Sequence, residues 1–207
     1  MKIKICGITN PEDALDAVSL GVDAIGFIFA PSSKRYVSPD MAQAISIFLP
    51  PFVSVVGVFV NQSIDEIEQT IVRCQLDVVQ LHGDESPQFC QGITRRVIKA
   101  FRVAQPEDLA CIEYYQGFVS SFLLDTKVQN MDGGTGRIFD WGLALKAKEY
   151  QTPLILAGGI NAQNLNKAFQ MVNPYAVDLS SSVEASPGKK DYHKMQEIIG
   201  IAKSLVG

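Results

Sequence analysis

The sequence predicts an α/β fold, a (β/α)8 TIM barrel built as one domain over residues 1–207. Three observations predict it. Eight short apolar runs recur with a mean repeat of about 26 residues, the smallest practical size for a βα unit in such a barrel. The runs are continuous in Val, Ile and Leu rather than alternating, as parallel strands buried on both faces require. Most are followed by a helix-start signal and an amphipathic stretch. A doubly wound sheet is the competing architecture, but it usually has about five or six strands, and eight regular units favour closure.

Taken in order, the runs are residues 3–5, 24–29, 53–60, 77–81, 97–101, 121–124, 154–157 and 175–179. After the first, Asn10-Pro11-Glu12-Asp13 supplies a cap, a proline at the first helical position and acids in the first turn. Ser38-Pro39-Asp40 repeats that pattern after the second run. Ser63-Ile64-Asp65-Glu66 is a capping box after the third. Ser86-Pro87 follows the fourth. Asn161 can cap a helix running to about Met171, and the C-terminal region around His193 reads as helical. The sixth unit is the exception. Residues 126–139 form a long connection holding Gly133-Gly134-Thr135-Gly136, and such loops in compact domains usually carry function or motion.

Composition narrows the function classes. The chain is 47% hydrophobic with net charge −4, enough to bury a core without metals or disulfides. Its Lys and Arg are scattered, so no nucleic-acid partner is expected. The run Val53–Val60 is too short to span a bilayer, and the start lacks the apolar segment of a signal peptide. A cytoplasmic protein is expected, with free thiols at its four cysteines. No cysteine pair or nearby histidine has metal-ligand spacing, so no metal site is expected. Cys74, Cys90 and Cys111 read as packing residues on helical segments.

The chemistry points to strand ends. Cys6 closes Ile3-Lys4-Ile5, and Asp125 closes Phe122-Leu123-Leu124. In a parallel barrel, carboxyl ends of strands share one face, where active sites lie. A buried small hydrophobe is the bland reading of Cys6. Its place at a strand end before Gly7 favours a base instead. A free thiol titrates near about 8.5, so nearby positive charge or amide dipoles must favour the thiolate. Asp125 lies too far upstream of the next helix to cap it, and it can act as a proton donor.

Leu156-Ala157-Gly158-Gly159 and Asp178-Leu179-Ser180-Ser181-Ser182 follow the last two runs. Gly158, Gly159, Ser180 and Ser181 are the candidate phosphate cradle, because these two loops form the recurrent phosphate site of such barrels. Gly134 in the long connection would add a third wall, or serve as a hinge. Arg35 reads either as a solvated loop charge or as a fork for a substrate carboxylate. His82 ends the fourth run and would bind substrate or hold neighbouring side chains. Asp178 would hydrogen-bond a sugar hydroxyl or orient a loop.

Taken together, these motifs resemble the phosphoribosylanthranilate isomerase family of tryptophan biosynthesis. The likeness runs nearly end to end, through Lys4-Ile5-Cys6-Gly7-Ile8-Thr9, Ser32-Ser33-Lys34-Arg35-Tyr36-Val37, Gln80-Leu81-His82-Gly83-Asp84-Glu85, Leu124-Asp125 and Asp178-Leu179-Ser180-Ser181-Ser182-Val183-Glu184. The family commonly carries Gly where this chain has Ser182, a departure that bears on the phosphate loop because Ser tolerates positive φ poorly. The resemblance implies a cofactor-free Amadori rearrangement of a small phosphorylated substrate. It implies Asp125 as general acid, Cys6 as general base, and Arg35 on the anthranilate carboxylate. A monomer or homodimer is expected. Two other phosphate-binding barrels are rivals. A histidine-pathway isomerase would use two aspartates, and indole-glycerol-phosphate synthase would need a lysine at the strand ends. A non-catalytic sensor of phosphorylated sugars would have no use for Cys6 and Asp125 as a pair.

Overall fold

The computed structural model describes residues 1–126 and 141–205. Eight parallel strands close into one barrel in chain order. They are β1 (Lys2–Cys6), β2 (Ala24–Ile28), β3 (Ser54–Phe59), β4 (Val78–Leu81), β5 (Arg96–Val103), β6 (Ser121–Thr126), β7 (Leu154–Ala157) and β8 (Ala176–Leu179). Each matches one apolar run. The ring closes where β1 pairs with β8, with Lys4 opposite Asp178 in register.

Helices α1 (Pro11–Ser19), α2 (Pro39–Ser46), α3 (Ile64–Cys74) and α4 (Pro87–Gln91) begin where the cap motifs place them. Asn10 Oδ1 accepts the Asp13 N–H at 2.9 Å. Ser63 and Glu66 close a reciprocal box, which satisfies two backbone donors that the first helical turn would leave bare. Helices α5 (Trp141–Lys148), α6 (Leu165–Val172) and α7 (Tyr192–Ser204) complete the shell. Asn161 Oδ1 accepts from the N–H groups of Gln163 and Asn164, so it caps a preliminary turn, and the regular helix starts at Leu165.

Two features depart from the sequence reading. The fifth unit has no α-helix; two 3-10 turns, Pro106–Leu109 and Ile112–Tyr115, carry the chain from β5 to β6. Cys111 lies between them and is exposed, so it does not pack like the buried Cys74 and Cys90. The chain also forms a small antiparallel hairpin after β8, β9 (Glu184–Ser186) with β10 (Lys189–Lys190). That hairpin returns Lys190 to the floor of the barrel mouth.

The core has two compartments. Strand outer faces and helix inner faces form one continuous apolar shell that includes Ile5, Phe27, Phe59, Leu81, Phe122, Leu156 and Met195. Inside the barrel, Val56, Ile98, Ala100, Leu123, Ile155, Ala157 and Ala176 form a second cluster. The alternation of side chains along each strand separates the two. The ends of the barrel differ. At the end where the strands begin, a cavity of about 370 Å³ is lined by Val56, Val78, Ile98, Ile155 and the exposed Phe52.

Candidate active site

At the carboxyl ends of the strands, a cavity of about 250 Å³ is lined by Cys6, Arg35, Gln80, His82 and Asp125, together with Gly158, Gly159, Asp178, Ser180, Ser181 and Ser182. The structure therefore brings nine of the ten sequence-derived site residues to one cavity. The tenth, Gly134, lies outside the described residues, as does the rest of the long connection.

Cys6 is buried, 5% exposed. Gly26 lies opposite it, and any side chain there would come within 2.9 Å of Sγ and 3.1 Å of Lys4 Nζ. Burial pushes the thiol up, and Asp178 adds to that, while Lys4 and Lys190 oppose it. The positive neighbours expected from the sequence are present, but desolvation outweighs them, so the thiol lies above its usual range.

Lys4 Nζ donates to Asp178 Oδ1 at 2.9 Å and to Gln80 Oε1 at 3.0 Å. Burial would lower the Lys4 ammonium, but Asp178 and Cys6 together hold it raised. Asp178 thus holds Lys4, and its carboxylate orients the interior network. Gln80 Nε2 lies 3.2 Å from His82 Nδ1, and His82 Nε2 lies 3.2 Å from Asp125 Oδ2.

Arg35 lies across Gly7, whose φ of +77° and lack of Cβ make the room; an added Cβ would stand 2.7 Å from Arg35 Cδ. The free loop fork expected from the sequence already has a carboxylate partner. Arg35 Nε and Nη2 donate to the two oxygens of Glu184, each at 2.7 Å, in the bidentate geometry that suits a guanidinium. The Nη1 edge is not used by Glu184. Lys190 Nζ reaches Glu184 Oε1 at 3.0 Å and the carbonyl oxygen of Cys6 at 2.7 Å. Burial alone would push the Glu184 carboxyl up, but Arg35 and Lys190 hold it below the usual range.

Gly158 and Gly159 both adopt positive φ, +67° and +73°, which turns the backbone toward the cavity at no steric cost. Ser181–Val183 form a 3-10 turn on the facing side. Ser182 is not among the residues with positive φ, so serine there carries no left-handed strain.

Three charged contributors escaped the sequence reading. Glu184 closes a quoted motif, but nothing local marks it as the partner of Arg35. Lys190, in Gly188-Lys189-Lys190-Asp191, reads as a solvated turn. Lys4 carried the one usable signal, a charge between two isoleucines in a buried strand.

The family model described as N-(5'phosphoribosyl)anthranilate (PRA) isomerase matches residues 3–200. A curated relative from Geobacter metallireducens, N-(5'-phosphoribosyl)anthranilate isomerase, is 50% identical over 204 residues, covering 99% of this chain and 100% of its own. Among solved structures, phosphoribosyl anthranilate isomerase from Thermotoga maritima superposes with a TM-score of 0.92 at 47% identity, covering 99% of both chains. A phosphoribosyl anthranilate isomerase in complex with reduced 1-(o-carboxyphenylamino)-1-deoxyribulose 5-phosphate gives 0.89 at 45% identity, again over 99% of both. Monomers generated from a dimeric Thermotoga maritima isomerase give 0.89 at 43% and the same coverage. The chain belongs to the N-(5'-phosphoribosyl)anthranilate isomerase family.

Proposed function

We propose that this chain catalyses the Amadori rearrangement of N-(5'-phosphoribosyl)anthranilate to 1-(2-carboxyphenylamino)-1-deoxyribulose 5-phosphate, a cytoplasmic step of tryptophan biosynthesis. The observation that carries the reading is one cavity lined at once by a thiol, a carboxyl, a guanidinium and two turn-forming loops. The amides around Gly158-Gly159 and at the start of the Ser181 turn suit a phosphate. The Nη1 edge of Arg35 suits the anthranilate carboxylate. Anchoring both ends holds the sugar carbons between Cys6 and Asp125, which is catalysis by positioning.

In the first step Asp125 gives its proton to the furanose ring oxygen. The C1–O bond breaks, and the amine nitrogen lone pair forms an iminium. In the second step Cys6 takes the proton from C2, and the C–H electron pair flows to the iminium nitrogen to give an enolamine. The enolamine then tautomerises to the ketone. A thiol pushed up by burial fits this order. The cationic iminium arrives beside Cys6 only after ring opening, and a new positive charge favours the thiolate at the moment it is needed. Asp178 binds Lys4 in this scheme and shapes the pocket, and His82 supports the acid.

Complementation of a tryptophan auxotroph lacking this step, with Cys6→Ala as control, tests the reading. Purified protein should also quench anthranilate fluorescence as product forms. A wild type that binds the substrate and leaves the fluorescence unchanged would favour the sensor alternative.

We also propose a homodimer joined through the end of the barrel where the strands begin. Ile47, Phe48 and Phe52 are exposed there, Phe52 at 94%, and Phe52 borders the apolar cavity at that end. An exposed apolar segment and an apolar hollow on one face are self-complementary under a two-fold axis. Light scattering should give twice the chain mass for the wild type and the monomer mass for Phe52→Asp. A monomeric wild type at micromolar concentration ends this proposal.

A further inference from the structure

We propose that Gln80, oriented by Lys4, is a positioning residue that holds the His82 imidazole in its Nε2–H tautomer and so keeps the Asp125 proton for the substrate. The inference rests on the reading of Asp125 as the acid.

Donor and acceptor types leave one consistent arrangement. Lys4 Nζ has hydrogens to give and no lone pair to offer. The Gln80 atom 3.0 Å from it is therefore the oxygen, and the amide orientation of this buried side chain is settled by a buried ammonium rather than by choice. Gln80 Nε2, also donor only, then faces His82 Nδ1 at 3.2 Å. Nδ1 must accept, so the proton of the neutral ring sits on Nε2. That N–H points at Asp125 Oδ2, 3.2 Å away, and donates to it. The opposite tautomer would set two donors against each other at Gln80, an opposition with a large penalty in a buried site.

The backbone around the ring is held independently. The His82 N–H donates to the carbonyl of Phe59 at 2.9 Å. Lys99 Nζ donates to the carbonyls on either side of His82, at Leu81 and Gly83, and to Glu85. Glu85 in turn accepts the Gly83 N–H. Gln80 and His82 stand two residues apart and point to the same interior face. The turn thus fixes where the ring is, and Gln80 fixes which nitrogen carries the proton.

The chemical consequence concerns where the acid's proton can go. An Nδ1–H ring would present a bare Nε2 lone pair to Asp125, a resting place for the carboxylic proton. An Nε2–H ring offers none. Protonated Asp125 then carries its proton on Oδ1, where no side chain among the described residues takes it and the furanose ring oxygen of bound substrate can. Once the proton has moved, Nε2–H hydrogen-bonds the new carboxylate, a charge-assisted contact present only after transfer.

The test reads the ring directly. The chain has two histidines, and His193 is exposed on α7, so His193→Gln leaves one imidazole in a ¹⁵N–¹H ring correlation spectrum. The expected spectrum is that of the Nε2–H tautomer. In Gln80→Glu, a carboxylate faces Nδ1 and requires a hydrogen there, so the pattern should reverse. Its kcat should fall about tenfold or more, the scale of one hydrogen bond to a charged group, with KM little changed. Gln80→Leu removes the director without adding an acceptor. It should fold, show mixed tautomers and lose turnover to a similar degree. An Nδ1–H ring in the wild type, or Gln80→Leu with tautomer and kcat both unaltered, overturns the role given to Gln80. Asp125→Asn is measured in parallel. Near-normal turnover in that variant overturns the acid assignment and this inference together, whereas an inactive Asp125→Asn beside an Nδ1–H wild-type ring overturns this inference alone.

Discussion

On the β1–β8 side of the mouth, Cys6 is buried within a lattice of Lys4, Asp178, Lys190, Glu184 and Arg35, joined by hydrogen bonds of 2.7 to 3.0 Å. On the β4–β6 side, the Asp125 side chain is 35% exposed, and among the described residues its side-chain partner is His82. The difference matches the two proton transfers of the proposed mechanism. A carbon acid gives up its proton reluctantly, so its base gains from a rigid, dry setting in which charges act at full strength. A group that protonates an ether oxygen must be reloaded on every turnover, and contact with water allows that. On that mechanism one wall stays still and the other exchanges.

The largest effects should come from the two reacting groups. Cys6→Ala and Asp125→Asn should each lower kcat at least a hundredfold, within the ~10²–10⁴ range of a positioned acid or base, while circular dichroism stays unchanged. Near-normal turnover in either purified variant removes that residue from the mechanism. If the walls differ as argued, loss of a lattice member should also reach the fold. Glu184→Ala strands the buried Lys190 and should cost about 3–5 kcal/mol in denaturant unfolding, whereas His82→Ala on the open wall should cost far less. Equal losses would mean the walls do not differ in this respect.

A pH series sharpens the same contrast. The folded Glu184 carboxyl lies below the usual range because Arg35 and Lys190 overcome its burial. Its contribution is therefore fully present above the unfolded value of about 4.3 and is lost as pH falls through the lower folded value. The Tm gap between wild type and Glu184→Gln should narrow at the acid end, below about 4.3, and stay constant from about one unit above that reference to neutrality. A gap independent of pH would show that the pair is not the source. Arg35→Ala should chiefly raise KM, by about tenfold for a lost charged contact; an unchanged KM argues against carboxylate binding. The smallest effect is the control. Ser63→Ala, in the exposed α3 capping box and not among the residues that line the cavity, should cost about 1 kcal/mol and leave kcat and KM alone.

Much of the architecture was legible because its signals are local. Caps at Asn10, Ser38, Ser63 and Ser86 satisfy donors within three residues of themselves, and continuous apolar runs mark strands with no exposed face. The fifth unit departs from the βα repeat, because Pro106-Glu107-Asp108 opens a 3-10 turn where the repeat implied an α-helix. The strand-end rule alone brought Cys6 and Asp125 to one face, since in a closed parallel barrel every strand ends there.

The order of residues by itself determined the barrel, the face where chemistry gathers and the family, because strand burial, capping and motif order are all written along the chain. Tertiary structure alone decided that Arg35 already grips Glu184, that Lys190 returns under Cys6, and that Lys4 reaches His82 through Gln80. Those contacts join residues 149, 184 and 76 positions apart. A charge separated from its partner by so much chain has no local signature, and only closure of the ring and the hairpin after β8 bring the two within reach.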